Sequence, residues 1–286
     1  MGGAARALTG ACAALALALA AGDDAAGADC PDVKSLLRAT QTQASVAQVT
    51  MVVRMTLASL DDEGQIPTAE MEQLHDAGID AYSPVELTRD MQAALESNCN
   101  ATAVASTLAF FRSPAGVKLI RGSLELSPHS SPKGGDEYFE KLREEGLSSG
   151  RLEAVRSVRP ASLAFELPPR AEVSLMRAIA TETARALAKA QDVPMPSDAE
   201  IADVIGRLAG ATDPYLELWN DLSLLFATRD LSVAELQEVR SFLGSSAGVW
   251  YRDALARAFE RAIEQAGQRF TAAAAAPRTP ELDLEP

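Results

Sequence analysis

The amino-acid sequence predicts an all-α protein made of two related antiparallel helical bundles in tandem, joined by a linker that contains short charged helices. Three observations lead to this prediction. Alanine and leucine, both strong helix formers, are abundant, whereas aromatic residues make up only 5% of the 286 residues. Apolar residues recur every three to four positions along most of the chain. A short motif that begins at Phe110, together with the order of elements around it, occurs again from Phe242.

Residues 1–28 have the pattern of a signal peptide. Arg6 supplies positive charge, Ala7 to Ala21 is a short apolar run, and Ala26 to Ala28 forms a small-x-small cleavage site; a second candidate site ends at Ala20. A retained membrane anchor is the alternative, although a run of roughly 15 residues is shorter than the about 20 that a spanning helix needs. We therefore expect a secreted, periplasmic protein whose mature chain does not span the membrane.

Two cysteines remain after such a cleavage, because Cys12 lies inside the removed segment. In an oxidising compartment Cys30 and Cys99 are expected to pair as a disulfide, with two separate buried thiols as the alternative. The bond would close a loop of about 70 residues and stabilise the fold by about 4 kcal/mol in the chain-entropy model. The spacing is unlike that of a CxxC motif, so a structural role is predicted rather than a redox role.

Helix signals follow one another through residues 29–126, the first predicted unit. Asp32 to Ser59 is predicted to be one long amphipathic helix, and the residues of its core face are Leu36, Leu37, Thr40, Ala44, Ala47, Met51, Met55 and Leu60. Turn formers from Asp61 to Pro67 end this helix. The helices that follow are expected to begin at Thr68, at the Ser83-Pro84 cap, at the Asn100 cap and at the Ser113-Pro114 cap.

Residues 127–166 are predicted to form the linker, with short charged helices near Glu137–Glu145 and Arg151–Val158. Residues 167–268 form the second predicted unit, which opens with a long helix after Pro168-Pro169. Further helices are expected near Ala199–Leu208, Pro214–Ala227, Val233–Leu243 and Ala247–Ala266. Residues 269–286 are expected to be disordered, because alanine, proline and acidic residues dominate them.

The repeat is carried by one short motif. A constant offset along the chain, without a gap, places Phe110, Ser113, Ala115, Gly116 and Val117 on Phe242, Ser245, Ala247, Gly248 and Val249. The same offset places the helix face formed by Ala44, Ala47, Met51 and Met55 on the face formed by Met176, Ile179, Thr183 and Leu187. We interpret this correspondence as an internal duplication.

The repeated piece resembles the closing motif of the bacterial DUF2059 domains. The resemblance is carried by Phe110-Phe111-Arg112-Ser113-Pro114-Ala115-Gly116-Val117-Lys118 and by the segment from Leu231 to Val249. It covers about residues 32 to 126 and 168 to 268, and it implies two tandem copies of a secreted helical domain of unknown function. The first copy lacks the acid-leucine opening of the family pattern, the second lacks its proline and both lysines, and neither has its tyrosine.

The motif also has a structural explanation of its own. Ser232 followed by Glu235 is a capping box, in which each side chain satisfies a backbone N–H at the helix start. Phe111 and Phe242 are the last residues of the apolar stripes that their helices are expected to bury. Ser113 or Ser245 then caps a new helix, whose first residue in the first copy is Pro114. Gly116 and Gly248, in the first turns of these helices, are expected to permit a close approach between helices.

The sequence contains no pattern that predicts a catalytic, cofactor-binding or metal-binding residue. The net charge of −14 argues against nucleic acid as a partner, because phosphate binding draws on clustered Lys and Arg. His75 and His129 lack ligand-like spacing, and Asp61-Asp62-Glu63-Gly64 lacks the alternating ligands of a calcium loop. Trp219, Trp250 and Tyr251 are interpreted as core residues rather than as the lining of a ligand groove.

These observations favour a non-catalytic extracytoplasmic scaffold that binds a protein or peptide in the cell envelope, in an oligomeric state that the sequence leaves open. A carrier of a small apolar ligand is the first alternative, and it would need a closed pocket lined by residues such as Met51, Met55, Met176 or Phe226. A carboxylate-based hydrolase is the second alternative, and it would need clustered buried acids with raised pKa values.

Overall fold

The computed structural model describes residues 30, 32–62, 66–125, 133–146, 148–158, 169–209, 222 and 224–276. Over these residues the regular structure is helical and contains no strand, which confirms the predicted all-α class. The helices are α1 (Val33–Ala39), α2 (Thr42–Asp62), α3 (Thr68–Ala81), α4 (Pro84–Ser97), α5 (Ala101–Phe111), α6 (Pro114–Glu125), α7 (Lys133–Glu145), α8 (Ser149–Val158), α9 (Pro169–Gln191), α10 (Asp198–Ala209), α11 (Val233–Leu243) and α12 (Ser246–Ala275). Residues 224–227 are also helical. The proposed signal peptide, the calcium-loop-like residues Glu63 and Gly64, and both non-helical linker stretches lie outside the described residues.

Polar side chains cap the N-termini of helices at positions that the sequence predicts. Ser83 accepts from the backbone N–H of Glu86 at the start of α4, and the Asn100 side chain accepts from Ala103 at a distance of 3.0 Å at the start of α5. Each cap satisfies one of the backbone donors that the first helical turn leaves without a partner. Cys30 and Cys99 form a disulfide bond, as predicted.

The long first helix of the prediction is broken in the structure at Thr40 and Gln41. The Thr40 hydroxyl lies 3.0 Å from the carbonyl oxygen of Leu36, to which it donates, and 2.8 Å from the hydroxyl of Thr42. Gln41 has φ of 50°, a left-handed conformation that ends α1 and starts α2 in a new direction. The prediction was wrong here because apolar spacing does not reveal a side chain that competes for the backbone of its own helix.

The C-terminal helix extends beyond its predicted end. Residues 269–275, assigned to a disordered tail, belong to α12, and Phe270 within them is fully buried with its ring edge-on to Tyr82. The amide of Gln73, on α3, donates to the carbonyl oxygens of Ala274 and Ala276 and so caps the end of α12. The prediction of disorder for these residues was wrong, because composition does not show that Phe270 is buried or that Gln73 caps the helix end. These two contacts hold the alanine-rich turns, which are strong helix formers, in place.

Helix α12 is the centre of the described fold. It packs against α3, α4 and α5 from the first half of the sequence and against α9 and α11 from the second half. The described residues from 32 to 276 accordingly belong to one compact unit. The predicted tandem arrangement of separate bundles over 29–126 and 167–268 is therefore not confirmed, because the helices of the two halves interlock.

The predicted linker helices belong to the same unit. Helix α8 packs against α11, and Val155 and Val158 join Ala115, Leu119, Leu236 and Val239 in a core cluster. The guanidinium of Arg151 donates to the carbonyl oxygens of Leu231 and Thr228 at distances of 2.6 and 2.7 Å. Helix α8 is thus fixed to the turn before α11.

The two copies of the repeated motif have the same local geometry. Ser113 and Ser245 accept from the backbone N–H of Gly116 and Gly248, with distances of 3.2 and 3.1 Å. A Cβ atom added at Gly116 would collide with the carbonyl oxygen of Phe110, and one added at Gly248 would collide with that of Phe242. In each copy a helix therefore packs tightly against the last turn of the preceding helix, and only glycine fits the contact.

Candidate functional site

Helix α2 has apolar residues on two opposite faces. Val46, Val49, Val53 and Leu57 are buried on the face that α2 turns to α3 and α4. Ala44, Ala47, Met51 and Met55 lie on the other side of the helix, and these are the residues that the sequence assigned to the core. That assignment was wrong because both faces repeat with helical spacing, and periodicity alone does not say which one the fold covers.

The outward side of α2 is an uncharged, partly apolar surface. We call it the α2 outer face, and its members are Ala44, Ala47, Gln48, Met51, Val52, Met55, Ala58 and Ser59. Met55 is 65% exposed and Val52 is 44% exposed. Exposed apolar side chains that lie together on one helix face can mark a surface that binds another protein.

Arg54 lies at the edge of the α2 outer face. Its side chain is exposed and forms no ion pair with any residue that the structure describes. The chain as a whole carries 40 acidic residues and 26 Lys and Arg. Arg54 therefore gives an uncharged helix face a positive edge on a molecule that is acidic overall.

On α9 the residues equivalent to the α2 outer face are buried in part, and α12 contacts α9 at Ala178 and Glu182, which correspond to Val46 and Thr50 on the inner side of α2. Ile179 and Thr183, which correspond to Ala47 and Met51 in the repeat, are buried on α9, which packs against α12. The approach of the two helices is close, because a Cβ added at Gly267 would lie 3.2 Å from the Cβ of Ala178. Thr271 also donates to the buried carboxylate of Glu182 at 2.8 Å.

Helix α6 is much shorter than its repeat equivalent α12. Pro114 and Ser246, which begin these helices, are equivalent in the repeat, but α6 has 12 residues and α12 has 30. The end of α6 at Glu125 corresponds to Arg257. Gly267 and Thr271, the residues that meet α9, come after this point.

A cleft of about 420 Å³ lies between α3, α4 and α12. It is open, and its lining residues are Ala77, Asp80, Ala81, Ser83, Glu86, Arg269 and Ala273. The guanidinium of Arg269 donates to Asp90 at 2.6 Å and to the carbonyl oxygen of Ala81 at 3.0 Å. Arg269 thus connects α12 to α3 and α4, and an open cleft with charged groups in its lining differs from the closed apolar pocket that a carrier would need.

The residues suggested for such a pocket do not come together. Met55 is exposed on α2, Met51 and Met176 are half-buried on different helices, and Phe226 is buried beside Tyr138, with their ring centroids 5.6 Å apart. Tyr251 is buried as predicted, with its ring edge-on to Phe111. Trp250 is half-buried, and Trp219 lies outside the described residues.

The carboxyl groups with shifted pKa values do not have the property of a catalytic acid. The Lys118 ammonium and the N–H and hydroxyl of Ser232 donate to Glu235 and lower its pKa to about 2. Hydrogen bonds from Ser197 likewise lower the pKa of Glu200. A general acid in a hydrolase needs a raised pKa, so neither residue fits that role.

The side chains that could ligate a metal ion lie apart from one another. Within the described ranges, no group of three or more His, Cys, Asp and Glu side chains is arranged to hold a metal ion. His75 lies half-buried on α3, and His129 lies outside the described residues.

The motif residues build a junction between the two halves. The rings of Phe110 and Phe242, both half-buried, stack on each other, and Phe111 lies edge-on to Phe242. Ser232 and Glu235 form the capping box of α11, in which Glu235 also accepts from Lys118 of α6 at 2.6 Å. Pro114 is the first residue of α6. These contacts give every motif residue a structural role.

Sequence reasoning missed one signal at this junction. Leu36-Leu37-Arg38-Ala39-Thr40 and Leu224-Leu225-Phe226-Ala227-Thr228 share the pattern Leu-Leu-x-Ala-Thr. In both segments the buried threonine donates to the carbonyl oxygen four residues earlier, at 3.0 Å for Thr40 and 2.7 Å for Thr228. These two segments are farther apart in the chain than Phe110 and Phe242, so the offset of the motif does not reveal them.

Comparison with protein-family models, with curated proteins and with solved structures finds no match. The resemblance to DUF2059 domains therefore stays a prediction that rests on the motif residues alone. Among the residues that the structure describes, no helix combines the length and apolar character needed to cross a membrane.

Proposed function

We propose that this protein is a non-catalytic extracytoplasmic scaffold that binds a segment of another protein through the α2 outer face. The observation that carries the proposal is the exposure of Val52 and Met55, together with half-buried Met51, on a helix whose opposite face already forms the core. Methionine side chains are flexible and polarizable, and they are frequent at surfaces that bind protein segments.

The proposed location outside the cytoplasm is supported by the disulfide between Cys30 and Cys99 and by the signal-peptide pattern of residues 1–28. Disulfides persist mainly in oxidising compartments. Mass spectrometry of the protein purified from the envelope fraction tests this part of the proposal. We expect a chain that begins at Asp29 or Ala21, and recovery of reduced full-length chain from the cytosol would overturn it.

The carrier alternative gains little support from the described cavity. The cleft between α3, α4 and α12 is open, and Asp80, Glu86 and Arg269 contribute charged groups to its lining. An apolar ligand gains most from a pocket that removes it from water, so a charged open cleft favours its release.

Affinity capture from envelope extracts tests partner binding, with Met55→Glu as the disrupting variant. Val85→Glu is the matched control, because Val85 is 63% exposed on α4, away from the α2 outer face. Both substitutions replace exposed residues, so both variants should fold. We expect a stoichiometric partner that the Val85 variant retains and the Met55 variant loses. A partner that both variants retain, or the absence of any partner combined with a bound lipid in native mass spectrometry, would overturn the proposal.

A further inference from the structure

Helix α1 fills a groove on the rest of the fold. Val33, Leu36 and Leu37 are buried, and α1 packs against α4 and α5. Thr40, the residue after the helix, is buried beside the hydroxyl of Tyr251 on α12. We call the surface of α4, α5 and α12 that these residues cover the α1 groove.

A second groove of the same kind is filled by another part of the chain. Residues 224–228, the second Leu-Leu-x-Ala-Thr segment, contribute two leucines to the core cluster that contains Leu119 of α6 and residues of α11. The backbone of Ala227 lies directly against Gly122 of α6. In the repeat, α11 is equivalent to α5 and Leu119 is equivalent to Tyr251. The two segments therefore contact equivalent surfaces of the two halves.

The chain connects the two segments to their grooves in different ways. Residues 224–228 come shortly before α11, whereas α1 is separated from α5 by α2, α3 and α4. Because the contact is the same with two different connections, the side chains of the segment determine it and the covalent link does not. We propose that the α1 groove also accepts α1 of a second copy of this chain, so that two copies exchange this helix. This inference is independent of the α2 outer face and of the proposed function.

The turn between α1 and α2 is the hinge of the exchange. Gln41 has φ of 50°, a conformation that is strained for a residue with a Cβ atom. Neither glycine nor proline occurs from Thr40 to Thr42, and the apolar spacing of residues 32–59 is that of one continuous helix. The hinge therefore has a helical alternative. Its straightening relieves the strain at Gln41, removes α1 from its own groove and presents it to a second copy.

The disulfide bond determines which groove α1 occupies. Cys30 stands before α1 and Cys99 lies between α4 and α5, so the bond holds α1 in the groove of its own chain. In a chain whose thiols have not paired, the short connection still gives α1 a high local concentration at its own groove. Exchange is therefore expected when reduced protein refolds at high concentration.

Disulfide trapping tests the exchange directly. Two variants of the full chain, both with Cys12→Ser, carry either Cys30→Ser or Cys99→Ser, and they are refolded together at high concentration and then oxidised in air. An exchanged dimer places Cys30 of one copy beside Cys99 of the other. We expect Cys30–Cys99 bonds between chains to exceed bonds between like cysteines at least about tenfold in mass spectrometry of the cross-linked peptides. The three kinds of bond in random proportions would overturn the inference.

A second measurement keeps the native pair of cysteines, in case the single-cysteine variants are too unstable to fold. The chain with only Cys12→Ser is reduced, refolded at high concentration and oxidised. On a non-reducing gel we expect dimers that peptide mapping of mixed isotope-labelled and unlabelled protein shows to be joined by Cys30–Cys99 bonds. Monomers alone in this experiment would overturn the inference.

A glycine substitution at the hinge separates exchange from unspecific cross-linking. Gln41→Gly removes the strain of the turn and disfavours the straightened helix, so it should lower the yield of Cys30–Cys99 bonds between chains at least about tenfold. Gln43→Gly is the matched control, because exposed Gln43 is helical in α2 whether or not the hinge is straight. It should leave the yield unchanged. An equal yield from the Gln41 and Gln43 variants would overturn the assignment of the hinge.

Discussion

Phe110 and Phe242, equivalent residues of the two motif copies, stack on each other with ring centroids 4.0 Å apart and ring planes 7° from parallel. A residue that contacts its own equivalent is the mark of an interface around a two-fold axis. The two halves of this chain therefore meet at the motif as two subunits of a symmetric dimer would meet. Lys118 of the first copy donates to Glu235 in the cap of α11 and so adds an ion pair across the same junction.

The stacked pair is expected to stabilise the junction cooperatively. Phe242→Ala removes the stack and the edge contact with Phe111, and we expect it to lower the free energy of unfolding by about 2 kcal/mol. Phe110→Ala should have a similar effect. The double variant should lose about 1 kcal/mol less than the sum of the two single losses, because the contact between the two rings is lost only once. Urea denaturation measures all three values, and strict additivity would show that the rings do not stabilise each other.

Glycine is expected to be required at both equivalent positions. Gly116→Ala and Gly248→Ala place a methyl group against the backbone of Phe110 and Phe242, so each should destabilise the protein by at least about 2 kcal/mol. Gly206→Ala is the control, because a Cβ at this position on α10 meets no atom within 4 Å. It should stabilise the protein by up to about 1 kcal/mol. Tolerance of alanine at Gly116 or Gly248, seen in thermal unfolding, would contradict the tight turn.

Acid is expected to weaken the contact between α6 and α11. The pKa of Glu235 is lowered to about 2 in the folded protein, mainly by Lys118, from an ordinary value of 4.5. The charged form therefore stabilises the fold fully above about pH 4.5, and this contribution is lost as the pH falls towards 2. Lys118→Met should destabilise the protein more at pH 7 than at pH 2.5 in urea denaturation. Arg143→Met, which removes an exposed pair with Glu140 on α7, should show little dependence on pH. An equal effect of Lys118→Met at both pH values would refute the expectation.

The turn between α1 and α2 should be improved by glycine. Gln41 has φ of 50°, a conformation that costs a residue with a Cβ about 1 kcal/mol and costs glycine nothing. Gln41→Gly is therefore expected to raise the free energy of unfolding by about 0.5 to 1 kcal/mol. Gln237→Gly, the same substitution at an exposed position within α11, should lower it by about 1 kcal/mol. A loss of stability in the Gln41 variant would mean that its side chain makes a contact worth more than the backbone strain.

Helix starts could be predicted from the sequence because they depend on neighbouring residues only. Ser83, Asn100 and Ser232 each stand one residue before a helix and accept from its first turn. The α2 outer face could not be predicted, because Met51 and Val53 both follow helical spacing and the choice between them depends on where α3 and α4 pack. For the same reason the cleft around Arg269 could not be found, since its residues come from three separate helices.

The cap that Gln73 places on the last turn of α12 joins parts of the chain that are far apart in sequence. Synthesis begins at the other end, so α3, α4 and α5 emerge long before the helix that shields them exists. An unfinished chain that stops before residue 246 would leave the apolar sides of these three helices facing water. Completion of α12 is thus the event that closes the first half, and a nascent chain would need protection from aggregation until then.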